Sequence, residues 1–132
     1  MDSVVIVTGG SRGIGRATAI AAAQRGFKIC IGYASNEAAA REVVDIIAAS
    51  NGQAIAVKCD VGEEADILAL FKAADAFGPL HALVNNAGVV DVSARVDEMS
   101  ADRINRMLRV NVTGSLLCAR EAVKRMSTRH GG

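Results

Sequence analysis

No charge of one sign dominates this chain of 132 residues: 15 Lys and Arg stand against 14 Asp and Glu, for a net charge of +1. That balance excludes the concentrated basic field by which a protein holds nucleic acid or an anionic membrane surface. Long apolar runs are missing as well. The longest stretch without Asp, Glu, Lys or Arg covers residues 76–90 and is broken by Gly78-Pro79, His81 and Asn85-Asn86. It falls short of the roughly 20 apolar residues that a membrane span needs. The N-terminus shows no basic segment followed by an apolar one, so no secretory signal is legible and a cytoplasmic setting is expected. Cys30, Cys59 and Cys118 are widely spaced, no Cys-x-x-Cys occurs, and His81 and His130 lie far apart. No zinc ligand set can be built from them, and the thiols read as buried and free in a reducing compartment. Repeats, linkers and low-complexity tracts are also lacking, so residues 1–132 are expected to form one domain or part of one.

What the chain has is apolar residues, 51% against 22% charged, enough for a packed core. Residues 3–7 form a short β-branched run that reads as a strand buried on both faces. Glycines follow, then an Ala-rich helix over 14–25 closed by Gly26. A second strand is expected over 27–33. Asn36 caps a helix with apolar positions Ala40, Val43, Val44 and Ile47, ended by Asn51-Gly52. A third strand covers 53–59, and Glu63 and Glu64 open a helix with Ile67, Leu70, Phe71 and Ala74 inward. A fourth strand is expected over 82–85, then a polar loop to Met99, then one long helix over 101–128 with Ser100 as its cap. Ile104, Met107, Leu108, Val112, Leu116, Ala119 and Val123 lie along that helix on a broad apolar face. Strands separated by helices of this length form parallel βαβ units with right-handed crossovers. The expected fold is therefore α/β, a three-layer Rossmann-like doubly wound parallel sheet, incomplete, with four strands in the order 3-2-1-4.

Thr8-Gly9-Gly10-Ser11-Arg12-Gly13-Ile14-Gly15 joins the first strand to the first helix. Glycines let the backbone approach a ligand closely, and the helix start turns free N–H groups and a positive dipole end toward the turn. A pyrophosphate fits such a corner. The Gly-Lys-Ser/Thr of an ATP- or GTP-binding loop is absent, because Arg16-Ala17 follows Gly15. Dinucleotide folds that grip an unphosphorylated adenosine ribose carry an acid at the end of strand two. This chain has Gly32-Tyr33-Ala34-Ser35-Asn36 there, so nothing repels a 2′-phosphate, and Arg12 is a candidate to hold one. NADP(H) is thus favoured over NAD(H), although Arg12 also reads as a solvated loop charge. The missing acid likewise counts against a methyltransferase on a similar sheet.

TGGSRGIG, together with Asn85-Asn86-Ala87-Gly88 and Asn111-Val112-Thr113-Gly114 in that order, resembles the short-chain dehydrogenase/reductase family over the whole chain. Gly32-Tyr33-Ala34-Ser35-Asn36-Glu37 is similar to the NADP-dependent members related to 3-oxoacyl-carrier-protein reductase and glucose 1-dehydrogenase. The resemblance implies that Gly9, Ser11, Gly13, Ile14 and Gly15 form the pyrophosphate turn, with Arg12 and Ser35 near the adenosine 2′-phosphate and Tyr33 on the adenosine side. It implies that Asp60 and Val61 meet the adenine edge, although Asp60 taken alone reads equally as a solvated loop acid. Asn86, Ala87 and Gly88 would line the coenzyme. Asn111 would belong to the catalytic tetrad, holding a water in a proton relay; its bland alternative is a polar residue packed at a helix kink.

The reaction implied is hydride transfer between nicotinamide and a small carbonyl or alcohol substrate, with a tyrosine as acid/base, a lysine four residues further on, and a serine at the carbonyl. Tyr33 is the single tyrosine and is followed four residues later by Glu37, so it cannot fill that role. The expectation is therefore that residues 1–132 are the N-terminal, coenzyme-binding part of a longer enzyme, a homo-oligomer (dimer or tetramer) through the long helix, with the catalytic C-terminal part as a further partner. The competing function is a non-catalytic dinucleotide-binding module. Residues 90–99, Arg95 among them, border the substrate or are plain surface loop, and His81 reads as a residue at the start of a strand.

Overall fold

Val4–Thr8 (β1) is buried along its whole length, as a β-branched strand with layers on both sides must be. Val4 and Ile6 point into one apolar cluster, with Ile67, Leu70, Phe71, Ala74 and Cys118. Val5 and Val7 point into the other, with Ala19, Ala40, Val43 and Ile47. The period-two alternation of a strand thus feeds two cores at once. The computed structural model describes residues 2–132. The remaining elements run α1 Gly13–Gln24, β2 Lys28–Tyr33, α2 Glu37–Ala49, β3 Ala54–Lys58, α3 Glu64–Phe77 and β4 Leu80–Val84. A 3-10 turn Val96–Glu98, α4 Ala101–Leu108, a π-helical turn Arg109–Gly114, α5 Ser115–Met126 and a 3-10 turn Thr128–His130 complete the chain.

All strand pairs are parallel and the sheet order is β3-β2-β1-β4, a Rossmann-like arrangement with helices on both faces. Among the described residues no strand pairs with the outer edge of β4. The expected helix starts hold. The Asn36 amide oxygen accepts from Ala39 N–H at 3.0 Å, and the Ser100 hydroxyl accepts from Arg103 N–H at 3.1 Å. The inward faces read from α2 and α3 are the buried ones.

Two boundaries need correction. β4 begins at Leu80 and ends at Val84, with an irregular register between its pairings to Val4 and Val5. The Asn85-Asn86 pair consequently lies in the loop beyond it. The long helix expected over 101–128 is not uniform: it widens into the π turn and stops at Met126, where Ser127 turns extended and caps the last 3-10 turn with its own hydroxyl. Its middle, Arg-Val-Asn-Val-Thr-Gly, contains the poorest helix formers of the segment, three of them β-branched. Contacts with the loop after β3 then decide the local geometry. A Cβ on Gly114 would stand 2.4 Å from the Val61 carbonyl oxygen, so this turn touches that loop backbone to backbone.

Candidate functional site

The carboxyl ends of β1 and β4 are tied together by one buried hydroxyl. Thr8 Oγ1 accepts from the backbone N–H of Asn86 at 3.1 Å and of Ala87 at 3.0 Å, and donates to Val84 O at 3.4 Å. In return the Asn86 amide donates to the carbonyls of Thr8 and Gly9, at 3.1 and 3.0 Å. The glycine turn after β1 is thereby locked to the loop after β4. Gly9 sits in the left-handed region at φ +64°. Gly15 is glycine for space: a Cβ there would come within 2.3 Å of Gly9 O and 2.5 Å of Asn86 Nδ2.

α1 starts at Gly13 with no side chain capping it and no acid in its first turn. Its first N–H groups are therefore unsatisfied by the protein and its positive dipole end is uncompensated, which suits an anion. In front of it lies a cavity of about 340 Å3. Of the site residues read from the sequence, Gly9, Ser11, Arg12, Gly13, Ser35, Asp60, Val61, Asn86, Ala87 and Gly88 line it. Gly15 is buried behind the turn, and the Ile14 side chain is 80% exposed beside it. Tyr33 does not join them. Its side chain lines a separate cavity with Glu37, Arg41, Val44 and Asp45 against α2.

The charges suit a polyanion. Arg12 and Arg106 face the cavity, and the sole carboxylate among its lining residues is Asp60. Glu37, the acid nearest the end of β2, is held on α2 by Arg41 at 3.0 Å. Asp60 is ordered from both sides: its N–H donates to Asp66 Oδ2 at 2.9 Å, and its Oδ1 accepts from Gly62 N–H at 2.8 Å. Arg106 Nη1 stands 3.8 Å from the other carboxylate oxygen. Thr8, Arg106 and Val110 are site residues that sequence reasoning missed. For Thr8 the signal was available: a hydroxyl residue ending a buried strand has to satisfy its polar group locally.

Asn111 lies in the π turn, outside the cavity lining. Its side-chain amide imitates a strand neighbour, accepting from Val89 N–H at 2.8 Å and donating to Val89 O at 2.9 Å. Its own carbonyl accepts from Ser115 Oγ at 3.2 Å. Because Val110 packs toward Gly62 and Gly114 touches Val61, the π turn braces the loops after β3 and β4, both of which line the cavity. Wide turns of this kind recur at functional sites.

A larger cavity, about 730 Å3, lies at the opposite end of the sheet between Gly78, His81, Arg125 and Gly132, where the last turn of α5 and not the start of an α-helix faces it. His81 stacks on Phe27 at 4.8 Å there, remote from the glycine turn. Arg95 pairs with Asp97 at 3.1 Å on an exposed loop. The three thiols are buried and unpaired. Desolvation pushes Cys30 and Cys59 up to about 12 and Cys118 up to about 11, with Cys118, Asp66 and Asp60 adding to the shift of Cys59, so none is a nucleophile near neutral pH. Among the described residues no group of His, Cys, Asp and Glu is arranged to hold a metal, and no helix is long and apolar enough to cross a membrane.

A family model described as short chain dehydrogenase matches residues 3–132. An uncharacterized oxidoreductase, YgfF, of Escherichia coli is 47% identical over 131 residues, which cover 98% of this chain and 53% of the relative. A short chain dehydrogenase from Burkholderia cenocepacia, solved in complex with NADP, superposes with a TM-score of 0.90 at 35% identity, over 96% of this chain and 51% of that one. A blue fluorescent protein from a metagenomic library, solved in complex with NADPH, superposes with a TM-score of 0.88 at 31% identity, over 94% of this chain and 51% of that one. None of these names is that of a 3-oxoacyl-carrier-protein reductase or a glucose dehydrogenase, so the finer likeness gains nothing from them. The chain spans about half the length of the curated relatives it matches.

Proposed function

The chain belongs to the short-chain dehydrogenase family, and from that premise we propose that it is the coenzyme-binding half of an NADP(H)-dependent oxidoreductase acting on a small carbonyl or alcohol. The observation that carries the proposal is the uncapped start of α1, opening on a cavity lined by the glycine turn, Arg12 and Ser35. A diphosphate accepts from the free N–H groups of Gly13, Ile14 and Gly15, and the adenosine half extends toward Ser35 and Asp60. Arg12, which makes no ion pair among the described residues, is free to hold a 2′-phosphate. With Glu37 turned onto Arg41, no carboxylate competes for that position. The nicotinamide coenzyme supplies or accepts the hydride when bound. This chain's residues bind and orient it, with Asn86, Ala87 and Gly88 along its length and Asn111 bracing the loop at Val89; with that side-chain amide committed to Val89, the Asn111 main-chain carbonyl is the group assigned to hold a water for proton transfer.

The Ser and Tyr-x-x-x-Lys group of the reaction we assign to the other half of the protein. One observation favours a second reading, a binding module without catalysis: the single tyrosine, Tyr33, faces α2 and not the cleft. A Ser followed by Tyr-x-x-x-Lys in the gene downstream of Gly132 decides for the enzyme. The partners proposed are that other half and further copies of the chain. Ile104, Leu108, Val112, Leu116 and Val123 stay exposed in a row along α4, the π turn and α5, a surface suited to a dimer or tetramer. A cytoplasmic setting accords with three free thiols. Coenzyme choice is tested by fluorescence titration with NADPH and NADH: NADPH binds more tightly, and Arg12→Ala removes most of the difference. Equal affinity for the two in the unsubstituted chain contradicts the NADP(H) assignment.

A further inference from the structure

One carboxylate, Asp60, lines a cleft whose other features suit a polyanion. The fold keeps it there. Asp60 Oδ1 accepts from Gly62 N–H at 2.8 Å, which turns the chain between β3 and α3. Its own N–H donates to Asp66 Oδ2 at 2.9 Å, so the same residue ties that loop to the first turn of α3. Asp and Asn are the residues that close such a turn best, and of the two Asp brings a negative charge into the cleft.

Arg106 answers that charge from α4. Its Nη1 lies 3.8 Å from Asp60 Oδ2, and it lines the same cleft. That separation is short enough for an ion pair and too long for a hydrogen bond. The charge is therefore offset while Oδ2 keeps its capacity to accept. Neighbouring pairs are arranged otherwise. Arg109 stands 4.0 Å from Glu63 and Arg120 2.9 Å from Glu64, yet none of these four residues lines the cleft. Asp66, with one oxygen taken by Asp60 N–H, lies outside the lining too. Acids gather here because the positive end of α3 favours them. The one that reaches the cleft is met by an arginine that lines it as well.

We infer that Arg106 is a positioning residue for the anionic part of the coenzyme. Acting through Asp60, it cancels the one negative charge of the cleft without occupying the oxygen that a donor on the adenine ring would use. This rests on the coenzyme assignment above, under which the adenosine half extends toward Asp60. Without Arg106 the cleft carries an unpaired carboxylate that repels each phosphate entering it, whereas a neutral ligand is indifferent to the change. The two side chains are 51% and 33% exposed, so the effect is a few-fold one.

The test titrates the whole chain with adenosine 2′,5′-bisphosphate and with adenosine, which lacks the phosphates, and reads the ratio of the two affinities. Arg106→Gln is expected to lower that ratio about threefold at ~20 mM salt, and the loss fades at ~0.5 M, where charges are screened. Arg106→Lys, which keeps the charge, keeps the ratio. Adding Asp60→Asn to Arg106→Gln restores it, because the amide oxygen still accepts from Gly62 N–H and the negative charge is gone. A ratio unmoved by Arg106→Gln, or a loss unchanged by salt, overturns the inference. So does a loss that Asp60→Asn leaves in place, which would mean that Arg106 grips a phosphate itself. The coenzyme assignment stands in each of those cases. An unsubstituted chain that binds the bisphosphate no more tightly than adenosine overturns the coenzyme assignment and the role of Arg106 with it.

Discussion

Replacing Thr8 by Val removes one hydroxyl and keeps the shape, which makes it a clean probe of how the glycine turn is held. Thr8 is 1% exposed, and its oxygen receives two backbone N–H groups, from Asn86 and Ala87, at 3.1 and 3.0 Å. Each such bond contributes about 1 kcal/mol net, and a donor left without a partner in a part-buried place adds its desolvation cost. The third bond, to Val84 O at 3.4 Å, is long and adds little. The expected destabilisation is about 2–3 kcal/mol. In urea, with a slope of about 1–3 kcal/mol/M, the midpoint falls by roughly 1 M with the slope unchanged. Thr8→Ser supplies the control, since it keeps the hydroxyl and loses one buried methyl, at about 1 kcal/mol. The expected order of stability is therefore Thr, then Ser, then Val. A Val variant as stable as the Ser variant would refute the claim that this hydroxyl joins β1 to β4.

Gly15→Ala gains about 1 kcal/mol of helix propensity in principle, yet its Cβ would meet Gly9 O at 2.3 Å. The clash costs about 1–3 kcal/mol and displaces the turn, so the melting temperature falls and coenzyme affinity is lost; a rise in melting temperature contradicts the close approach. The thiols of Cys30, Cys59 and Cys118 are held at about 12, 12 and 11 in the folded chain, above the ordinary value of 9.0. The neutral form is favoured in the fold, so this stabilisation is complete below pH 9 and is lost as pH rises through about 11–12. Thiol reagents at pH 8 should therefore label none of the three in the folded chain and all three in urea; fast labelling of the native chain would show that these sites are open to water.

Much of this architecture is legible from residue patterns, because its elements are locally consistent. β1 is a β-branched run, α2 and α3 bury the apolar positions that their periodicity marks, and Asn36 and Ser100 cap where their residue types say they should. The glycine turn is legible for the same reason, since the glycines answer to a backbone requirement. The π turn is not. It depends on Gly114 meeting Val61 and on Asn111 reaching Val89, partners 22 residues apart for the latter pair, and no periodicity records such contacts. Nothing in the helical pattern marks Arg106 either, because its partner Asp60 lies in the loop after β3, folded against α4. Tyr33 shows the converse limit: adjacency to the adenosine corner in sequence did not place its side chain there, because alternate residues of β2 face opposite sides of the sheet.

An anionic diphosphate rests, in the function proposed, on the backbone amides that open α1. Amide chemical shifts of the isotope-labelled chain, followed while NADP+ is added, address it directly. The largest shifts, saturating with ligand, are expected on Gly13, Ile14 and Gly15, with smaller ones at Ser35, Asp60 and Ala87. Unmoved amides at the start of α1, with changes gathered instead around His81 at the opposite end of the sheet, would contradict it.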